Sequence, residues 1–216
     1  MNLNLLKPEI QAFITQHVGT DVTKLALLKN PFPEVDFKEI LNQIASKTKA
    51  REKLPTWFNT SNILFPSKIS VEQTSSEKTA KYKSGIVSGK SLIDLSGGFG
   101  VDDFWFSKTF EEVVHCESDA ALSSIARHNF DVLGAANIVC KTGDSTQIVN
   151  DLDRRFDVIY VDPSRRHDQK GKVFLLRDCE PNVPELIDVY FEISETVMIK
   201  SAPILDISAA VSELKN

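Results

Sequence analysis

Short apolar runs alternate with helix-like segments along the second part of the chain. Five such runs follow Gly89: "SLIDL" (91–95), "EVVHCE" (112–117), "NIVC" (137–140), "FDVIYV" (156–161) and "ETVMIK" (195–200). Segments that suit helices separate them, at 102–109, 119–133, 145–151 and 182–193. Strands that alternate with helices predict a parallel sheet with right-handed crossovers, that is, an α/β, Rossmann-like doubly wound fold.

The first part of the chain has helical periodicity instead. "KPEIQAFITQHV" places Ile10, Phe13, Ile14 and Val18 on one face, and "DFKEILNQIASKTKARE" begins after a capping Asp36. "DVTKLALLKN" and the amphiphilic stretch "SVEQTSSEKTAKYKSGIV" predict further helices, and "LFPSK" interrupts the pattern. These features predict a small α-helical domain at 1–68, followed by an α/β domain at 69–216.

Composition narrows the class of protein. The chain has 216 residues, of which 42% are hydrophobic and 25% charged, which is typical of a soluble globular protein. No apolar run approaches the roughly 20 residues that span a bilayer, and the N-terminus lacks a signal-peptide layout. The three cysteines are scattered without a C-x-x-C pair, which argues against a structural zinc and against disulfides. We expect a cytoplasmic protein with no membrane segment and no metal.

Charge is distributed unevenly between the two parts. Residues 1–84 contain 12 Lys/Arg and 8 Asp/Glu, whereas residues 85–216 contain 13 and 22. The excess of basic residues in the first part could contact nucleic-acid phosphates. The alternative is that these residues only form a solvated helical surface.

The residues that end the apolar runs are the candidates for chemistry, because ligands of such sheets bind beyond the carboxyl ends of the strands. These residues are Asp94, Glu117, Asp144, Asp162 and Lys200. The glycine turn reads Gly98-x-Gly100-x-x-Asp103, so a dinucleotide motif would lack its third glycine. Carboxylates also suit a pyrophosphate poorly. S-adenosylmethionine has no phosphate and carries a sulfonium cation, so it fits an acidic, glycine-lined crevice better.

"DLSGGFG" (94–100) resembles the D-x-G-x-G-x-G motif of class I S-adenosylmethionine-dependent methyltransferases, with Ser96 in place of the first glycine. The resemblance implies a cofactor site that includes Asp94, Ser96, Gly98 and Gly100. It also implies that Glu117 accepts hydrogen bonds from the ribose hydroxyls and that Asp144 accepts one from the adenine amine. A structural domain in which these acids only cap helices is the alternative.

"VDPSRR" (161–166) resembles the [DNS]-P-P-[YFW] motif of methyltransferases that act on planar exocyclic amines. The resemblance implies catalytic roles for Asp162 and Pro163, which would accept the hydrogens of the amine and align it. The second proline and the stacking aromatic of that motif are absent here. The candidates for substrate binding are Ser164, Arg165, Arg166 and Lys200. A β-turn with solvated arginines is the alternative.

More specifically, the chain resembles bacterial THUMP-like methyltransferases related to trimethylguanosine synthase. The segments that carry this resemblance include "ISVEQTSSEKTAKYKS", "KVFLLRDCEPNV" and "IKSAPILDI". It implies an RNA substrate and cofactor contacts from Gln73, Ser75 and Thr79. Asp102 and Asp103 are interpreted as caps of the first crossover helix, with a contact to the methionine amine as the alternative.

The predicted sheet has five strands, whereas class I methyltransferases have seven. The chain therefore resembles an N-terminal portion that lacks the closing hairpin, and its fifth strand would be an open edge through which it could self-associate. Taken together, the sequence predicts a methyltransferase that uses S-adenosylmethionine to modify a nitrogen of an RNA base. A non-catalytic module that binds S-adenosylmethionine and RNA is the first alternative, and a nicotinamide enzyme is the second.

Overall fold

The computed structural model describes residues 1–165, 175–201 and 205–214. Its first part is helical, as predicted. The helices are α1 (Pro8–Gln16), α2 (Val22–Leu25), α3 (Phe37–Lys53), α4 (Pro55–Asn59), α5 (Lys68–Gln73) and α6 (Glu77–Ser84), preceded by a 3₁₀ turn at Leu3–Leu6.

Local capping explains the bounds of several of these helices. Asp36 accepts a hydrogen bond from the backbone of Lys38 and begins α3, as predicted. The stretch predicted as one amphiphilic segment is two helices, α5 and α6, because Ser76 accepts from the backbone N–H of Thr79 and begins a new helix. The helix expected in "DVTKLALLKN" is confined to the four residues of α2.

The second part of the chain is the predicted α/β fold. Its strands are β1 (Ser91–Asp94), β2 (Glu112–Glu117), β3 (Ile138–Thr142), β4 (Val158–Val161), β5 (Ser164–Arg165), β6 (Cys179–Glu180) and β7 (Thr196–Ile199). Five of them form one parallel sheet in the order β3-β2-β1-β4-β7. The helices are α7 (Val101–Phe106), α8 (Ala120–Val132), α9 (Ser145–Leu152), α10 (Val183–Ile193) and α11 (Ile207–Glu213), with a 3₁₀ turn at Leu176–Asp178. The α/β, Rossmann-like parallel sheet predicted from the sequence is confirmed.

A two-residue antiparallel ladder, β5 with β6, lies outside the main sheet and is absent from the sequence-based prediction. It joins the residues directly after Asp162-Pro163 to the segment before α10. Strands of two residues are too short to show an alternating pattern in the sequence.

The helical part packs against one face of the sheet through an apolar cluster shared with the α/β part. Trp57 and Phe65 contact Phe99, and Trp57 also packs edge-on against Phe104, with ring centroids 5.0 Å apart. A second cluster covers the opposite face, where α9 and α10 pack on Ile93 and Ile159. The division into domains at residue 68 stays a prediction.

Strand β7 lies at one end of the sheet, and within the described ranges it pairs only with β4. Self-association through this edge stays a prediction. Among the described helices, none is long and apolar enough to cross a membrane.

Candidate functional site

The glycine turn between β1 and α7 depends on backbone conformations that favour glycine. Gly98 has a φ of +57° and Gly100 a φ of +79°. A Cβ on Gly100 would lie 2.2 Å from Cζ of Phe130, whereas a Cβ on Gly98 would have the Ser96 carbonyl as its nearest neighbour, at 3.7 Å. Gly100 is therefore needed for close packing against α8, and Gly98 lies on the open side of the turn, where a ligand can approach the backbone.

Gly97 is a further essential glycine that the sequence-based site omitted. Its N–H donates to the Cys116 carbonyl at 2.8 Å, and an added Cβ would lie 2.3 Å from the imidazole of His115. Gly97 thus ties the turn to the end of β2. The two adjacent glycines in "SGGFG" were a signal for such a close approach.

Glu117 ends β2 and holds the glycine turn from the side. Its Oε2 accepts from the Gly98 N–H at 2.9 Å, and its Oε1 accepts from the Asp119 N–H at 2.7 Å. Oε1 also accepts from the Ser118 hydroxyl at 3.3 Å, whereas Oε2, on a side chain that is only partly buried, can accept a second hydrogen bond. Glu117 is therefore both part of the turn and available to a ligand in the crevice.

Ser96 connects two of the predicted site residues. Asp94 is 1% exposed, and its Oδ1 accepts from both the N–H of Ser96 at 2.7 Å and the Ser96 hydroxyl at 2.9 Å. The same hydroxyl oxygen accepts from the Asp162 N–H at 2.7 Å. A serine at the position of the first glycine of the motif therefore joins the glycine turn on β1 to the Asp-Pro segment on β4. A glycine there could not form this link.

Asp162 follows β4 and pairs with Lys200, which follows β7. The Lys200 Nζ and the Asp162 Oδ2 are 2.5 Å apart, and the two side chains are 30% and 31% exposed. Burial raises the pKa of Asp162, because the crevice disfavours its charged form, and the Lys200 ammonium opposes this increase. The pair places an acceptor and a cation at the rim of the crevice.

A buried polar cluster lies between α6, α7 and β4. The Lys83 Nζ contacts the Asp102 Oδ2 at 2.5 Å, the Ser75 hydroxyl at 3.0 Å and the Tyr160 hydroxyl at 2.5 Å. The Tyr160 hydroxyl donates to the same Asp102 oxygen at 3.0 Å. The Asp102 Oδ1 is buried and has no hydrogen-bond partner. Ser75, predicted as a cofactor contact, is part of this cluster, which fixes α6 next to the glycine turn.

Asp103 on α7 pairs with His115 on β2. The His115 Nδ1 lies 2.7 Å from the Asp103 Oδ2, and both side chains are fully buried. Burial lowers the pKa of His115. Burial also raises the pKa of Asp94 and of Asp103 well above the usual range. Nearby negative charges raise them further, because Asp103 acts on Asp94 and Asp102 acts on Asp103.

The interpretation of Asp102 and Asp103 as helix caps is wrong. Gly100 is the N-cap of α7, and no side chain caps this helix. Both carboxylates point to partners elsewhere in the fold, Lys83 and His115, that are distant in sequence.

The remaining predicted residues are not joined to this group by any hydrogen bond among the described residues. Asp144 is exposed and caps α9 by accepting from the Gln147 N–H. It therefore has the helix-capping role that the sequence analysis gave as the alternative to cofactor binding. Thr79 is exposed and contacts the Ser76 hydroxyl at 2.9 Å, and Gln73 is exposed at the end of α5. Their assignment to the cofactor stays a prediction.

The segment after Asp162 is described only in part. Pro163 is partly buried, and Ser164 is exposed and its hydroxyl lies 3.4 Å from the Glu180 carbonyl. The backbone of Arg165 pairs with Cys179 in the short ladder. Arg166 lies outside the described residues.

The sequence analysis also missed Lys83, Tyr160 and Lys53. Lys83 carried no signal, because other lysines on α6 are exposed and only packing buries this one. The pKa of Lys53, at the end of α3, is lowered by burial and by the positive charge of Lys200. The Lys53 Nζ donates to the Glu72 carbonyl at 2.5 Å, so Lys53 ties the end of α3 to α5. Within the described ranges, no group of three or more His, Cys, Asp or Glu side chains is arranged to hold a metal ion.

Comparison with known proteins supports the fold. No protein-family profile and no curated protein sequence matches the chain. Among solved structures, the chain is similar to the "putative methyltransferase from Porphyromonas gingivalis W83", with a TM-score of 0.78 and 26% identity over 95% of this chain. The chain spans about half of that protein, 51% of its length.

Two further solved structures match less well. An O-methyltransferase from Bacillus cereus in complex with SAH has a TM-score of 0.46 and 12% identity, covering 84% of this chain and 70% of its own. A methyltransferase-type protein, SMU.1697c from Streptococcus mutans, also in complex with SAH, has a TM-score of 0.41 and 16% identity, covering 55% and 65%. Similarity at this level is too low to support an inference on this chain. The similarity to the Porphyromonas gingivalis structure and the order of strands in the sheet show that the chain has the Rossmann-like fold of methyltransferases.

Proposed function

We propose that this protein binds S-adenosylmethionine and transfers its methyl group to a nitrogen of an RNA base. One observation carries the proposal: the Ser96 hydroxyl bonds both to Asp94 and to the Asp162 backbone. This bridge fixes the glycine turn and the Asp-Pro segment next to each other at the carboxyl edge of the sheet. A methyl donor on the turn and an acceptor at Asp162 would then be adjacent.

The residues around the glycine turn suit this cofactor. Gly98 leaves its backbone open, the Glu117 carboxylate can accept from ribose hydroxyls, and the Asp102 Oδ1 is a buried acceptor that lacks a donor. Among the residues that the structure describes, no lysine or arginine hydrogen-bonds to the turn, which disfavours a pyrophosphate. When bound, S-adenosylmethionine supplies an electrophilic methyl group on a sulfonium.

Asp162 would act on the nucleophile. The lone pair of a base amine is delocalised into the ring, so the nitrogen attacks poorly unless its hydrogens are accepted by the protein. Lys200 bonds to the Asp162 Oδ2, and no donor from the described residues bonds to Oδ1, so Oδ1 can accept one of these hydrogens. The Pro163 carbonyl would accept the other. Such bonds strengthen as the nitrogen becomes tetrahedral, so they stabilise the transition state. Asp144 would accept from the adenine amine, and Gln73 and Thr79 would contact the methionine end.

The test has two stages. Calorimetry with S-adenosylmethionine and S-adenosylhomocysteine measures cofactor binding, with NAD as the negative control. Incubation of bulk RNA with radiolabelled S-adenosylmethionine then measures transfer, and nucleoside analysis identifies the modified atom. We expect binding of both S-adenosyl compounds and label in RNA. A preference for NAD would contradict the proposal.

A non-catalytic module that binds S-adenosylmethionine and RNA is the second candidate. It is favoured by the sequence Asp162-Pro163-Ser164-Arg165, which lacks the second proline and the aromatic that would stack on a base. Cofactor binding without label in any RNA fraction would select this candidate.

A further inference from the structure

A groove of about 460 Å³ lies on the helical part of the protein, away from the glycine turn. Helices α1 and α3 and the segment after α4 form it. Seven residues line it: Gln11, Ala12, Thr15, Gln16, Lys47, Ser61 and Asn62. None of them is acidic, five carry amide or hydroxyl groups, and the only charge is that of Lys47. Amides, hydroxyls and an ammonium are the groups that proteins use to contact phosphate oxygens.

Lys47 lacks a negative partner. Its Nζ donates only to the Thr15 hydroxyl, at 3.3 Å, and in the described part of the chain no carboxylate forms an ion pair with it. Its side chain is partly buried, and this burial lowers the pKa of Lys47. An anion in the groove would restore the lost stabilisation of the ammonium.

Arg51 extends the positive charge by one helical turn. Arg51 and Lys47 lie over the same aromatic ring, that of Phe58, at 5.7 Å and 5.9 Å from its centroid. Like Lys47, Arg51 has no ion pair with any described carboxylate. Lys49 differs, because it pairs with Glu72 at 3.0 Å. The two cations without acidic partners are therefore on the groove side of α3, about 6 Å apart along the helix axis.

Lys49 and Lys53 lie on another side of α3. Lys53 donates to the Glu72 carbonyl and Lys49 pairs with the Glu72 carboxylate, so both belong to the contact between α3 and α5. The α/β part is acidic overall, so a polyanion would approach the protein from the Lys47–Arg51 side of the helical part.

We propose that the groove and the adjoining Lys47–Arg51 side of α3 bind the phosphate backbone of a single-stranded nucleic acid. The identity of this strand as RNA rests on the proposed function, whereas the phosphate site itself does not. A flexible single strand can follow Lys47 and Arg51 along one helix and place a phosphate in the groove beside them, whereas a stiff duplex cannot bend to do so.

Fluorescence anisotropy with a labelled single-stranded RNA of about 12 nucleotides tests the proposal. Binding is measured at several salt concentrations for the full chain, for Lys47→Ala, and for Lys47→Ala combined with Arg51→Ala. We expect each substitution to weaken binding by about threefold to tenfold and to reduce the slope of log K against log salt by about 0.7, the value for one phosphate contact of a single strand.

Lys38→Ala is the matched control, because Lys38 is an exposed lysine in the first turn of the same helix. Its binding and salt slope should stay unchanged, and Lys47→Arg should retain the contact. Equal losses in Lys38→Ala would overturn the proposal, since they would show a diffuse effect of net charge. Unchanged binding in the double variant, or a duplex bound as tightly as the single strand, would also overturn it.

Calorimetry separates this inference from the proposed function. Binding of S-adenosylmethionine should be the same in the double variant as in the unmodified protein. If no methyl transfer occurs at all but RNA binding still depends on Lys47, the proposed function fails and the phosphate site stands. If transfer occurs and RNA binding is insensitive to Lys47 and Arg51, the phosphate site fails and the proposed function stands.

Discussion

Two lysine–aspartate pairs, Lys83–Asp102 and Lys200–Asp162, have the same N–O distance of 2.5 Å but different surroundings. The side chains of the first pair are 5% and 11% exposed, Ser75 and Tyr160 bond to the Lys83 ammonium, and the Asp102 Oδ1 is buried without a partner. The side chains of the second pair are about one-third exposed, so water reaches the Asp162 carboxylate, whose Oδ1 has no partner within the described ranges. The same two residue types thus serve to fix α6 in one place and to present an acceptor in the other. Solvent access makes the difference, because only a rim carboxylate can exchange its partner for a substrate.

Breaking the buried pair should have the largest effect on stability. Lys83→Met would leave the Asp102 carboxylate buried without a cation, which costs about 3–5 kcal/mol. Denaturant unfolding measures the loss, and the same measurement on Lys200→Met should give at most about 1 kcal/mol, because water reaches Asp162. The double variant Lys83→Met with Asp102→Leu should recover most of the loss. Similar losses from Lys83→Met and Lys200→Met would show that the two pairs are equivalent.

Removing the Asp162 carboxylate should lower turnover rather than stability. On the proposed function, Asp162→Ala should lower kcat by about 10²–10³, the scale for one preorganised polar partner of the transition state. S-adenosylmethionine affinity should stay within a few fold, since Asp162 acts on the nucleophile. Single-turnover methyl transfer and calorimetry measure the two quantities. If Asp162→Ala abolished cofactor binding, the Asp-Pro segment would belong to the cofactor wall.

Glu117 should contribute to cofactor affinity. Glu117→Ala removes the acceptor predicted for the ribose and the bond to the Gly98 N–H, so we expect S-adenosylmethionine to bind about tenfold to a hundredfold more weakly. Glu117→Gln keeps one acceptor oxygen and should lose less. Calorimetry measures both variants, and circular dichroism checks that the fold is retained. Unchanged affinity in the alanine variant would mean that the ribose lies elsewhere.

Asp94 should determine part of the dependence of stability on pH. Its pKa is raised by burial and by Asp103, so its stabilising contribution is complete below the usual carboxyl pKa and is lost as the pH increases through the raised value. Asp94→Asn removes this group, so the variant should gain stability relative to the unmodified protein as pH increases from about 4 to 7. The gain is at most about 1.4 kcal/mol per pH unit for one proton. Unfolding measured across this range should show it, and parallel curves would contradict it.

The sequence by itself determined the strands of the sheet, the capped start of α3 and the glycine turn. These features depend on local patterns: apolar runs of strand length, an Asp before a helical periodicity, and glycines where the backbone turns. Asp94, Glu117, Asp162 and Lys200 were identified because parallel strands all end at one edge. The edge follows from topology alone, so the residues could be selected without coordinates.

Only the tertiary structure decided which charges are buried and which partners they have. Lys83 and Lys81 are both lysines of α6, but only Lys83 faces Tyr160 and Asp102. Asp102 and Asp103 were expected to cap α7 because of their position, and instead they bond to Lys83 and His115. The hydrogen bonds of Lys53 to the Glu72 carbonyl and of Lys47 to Thr15 on α1 join segments far apart in the chain. Desolvation and charge pairing depend on these long-range contacts, and no local pattern of residues encodes them.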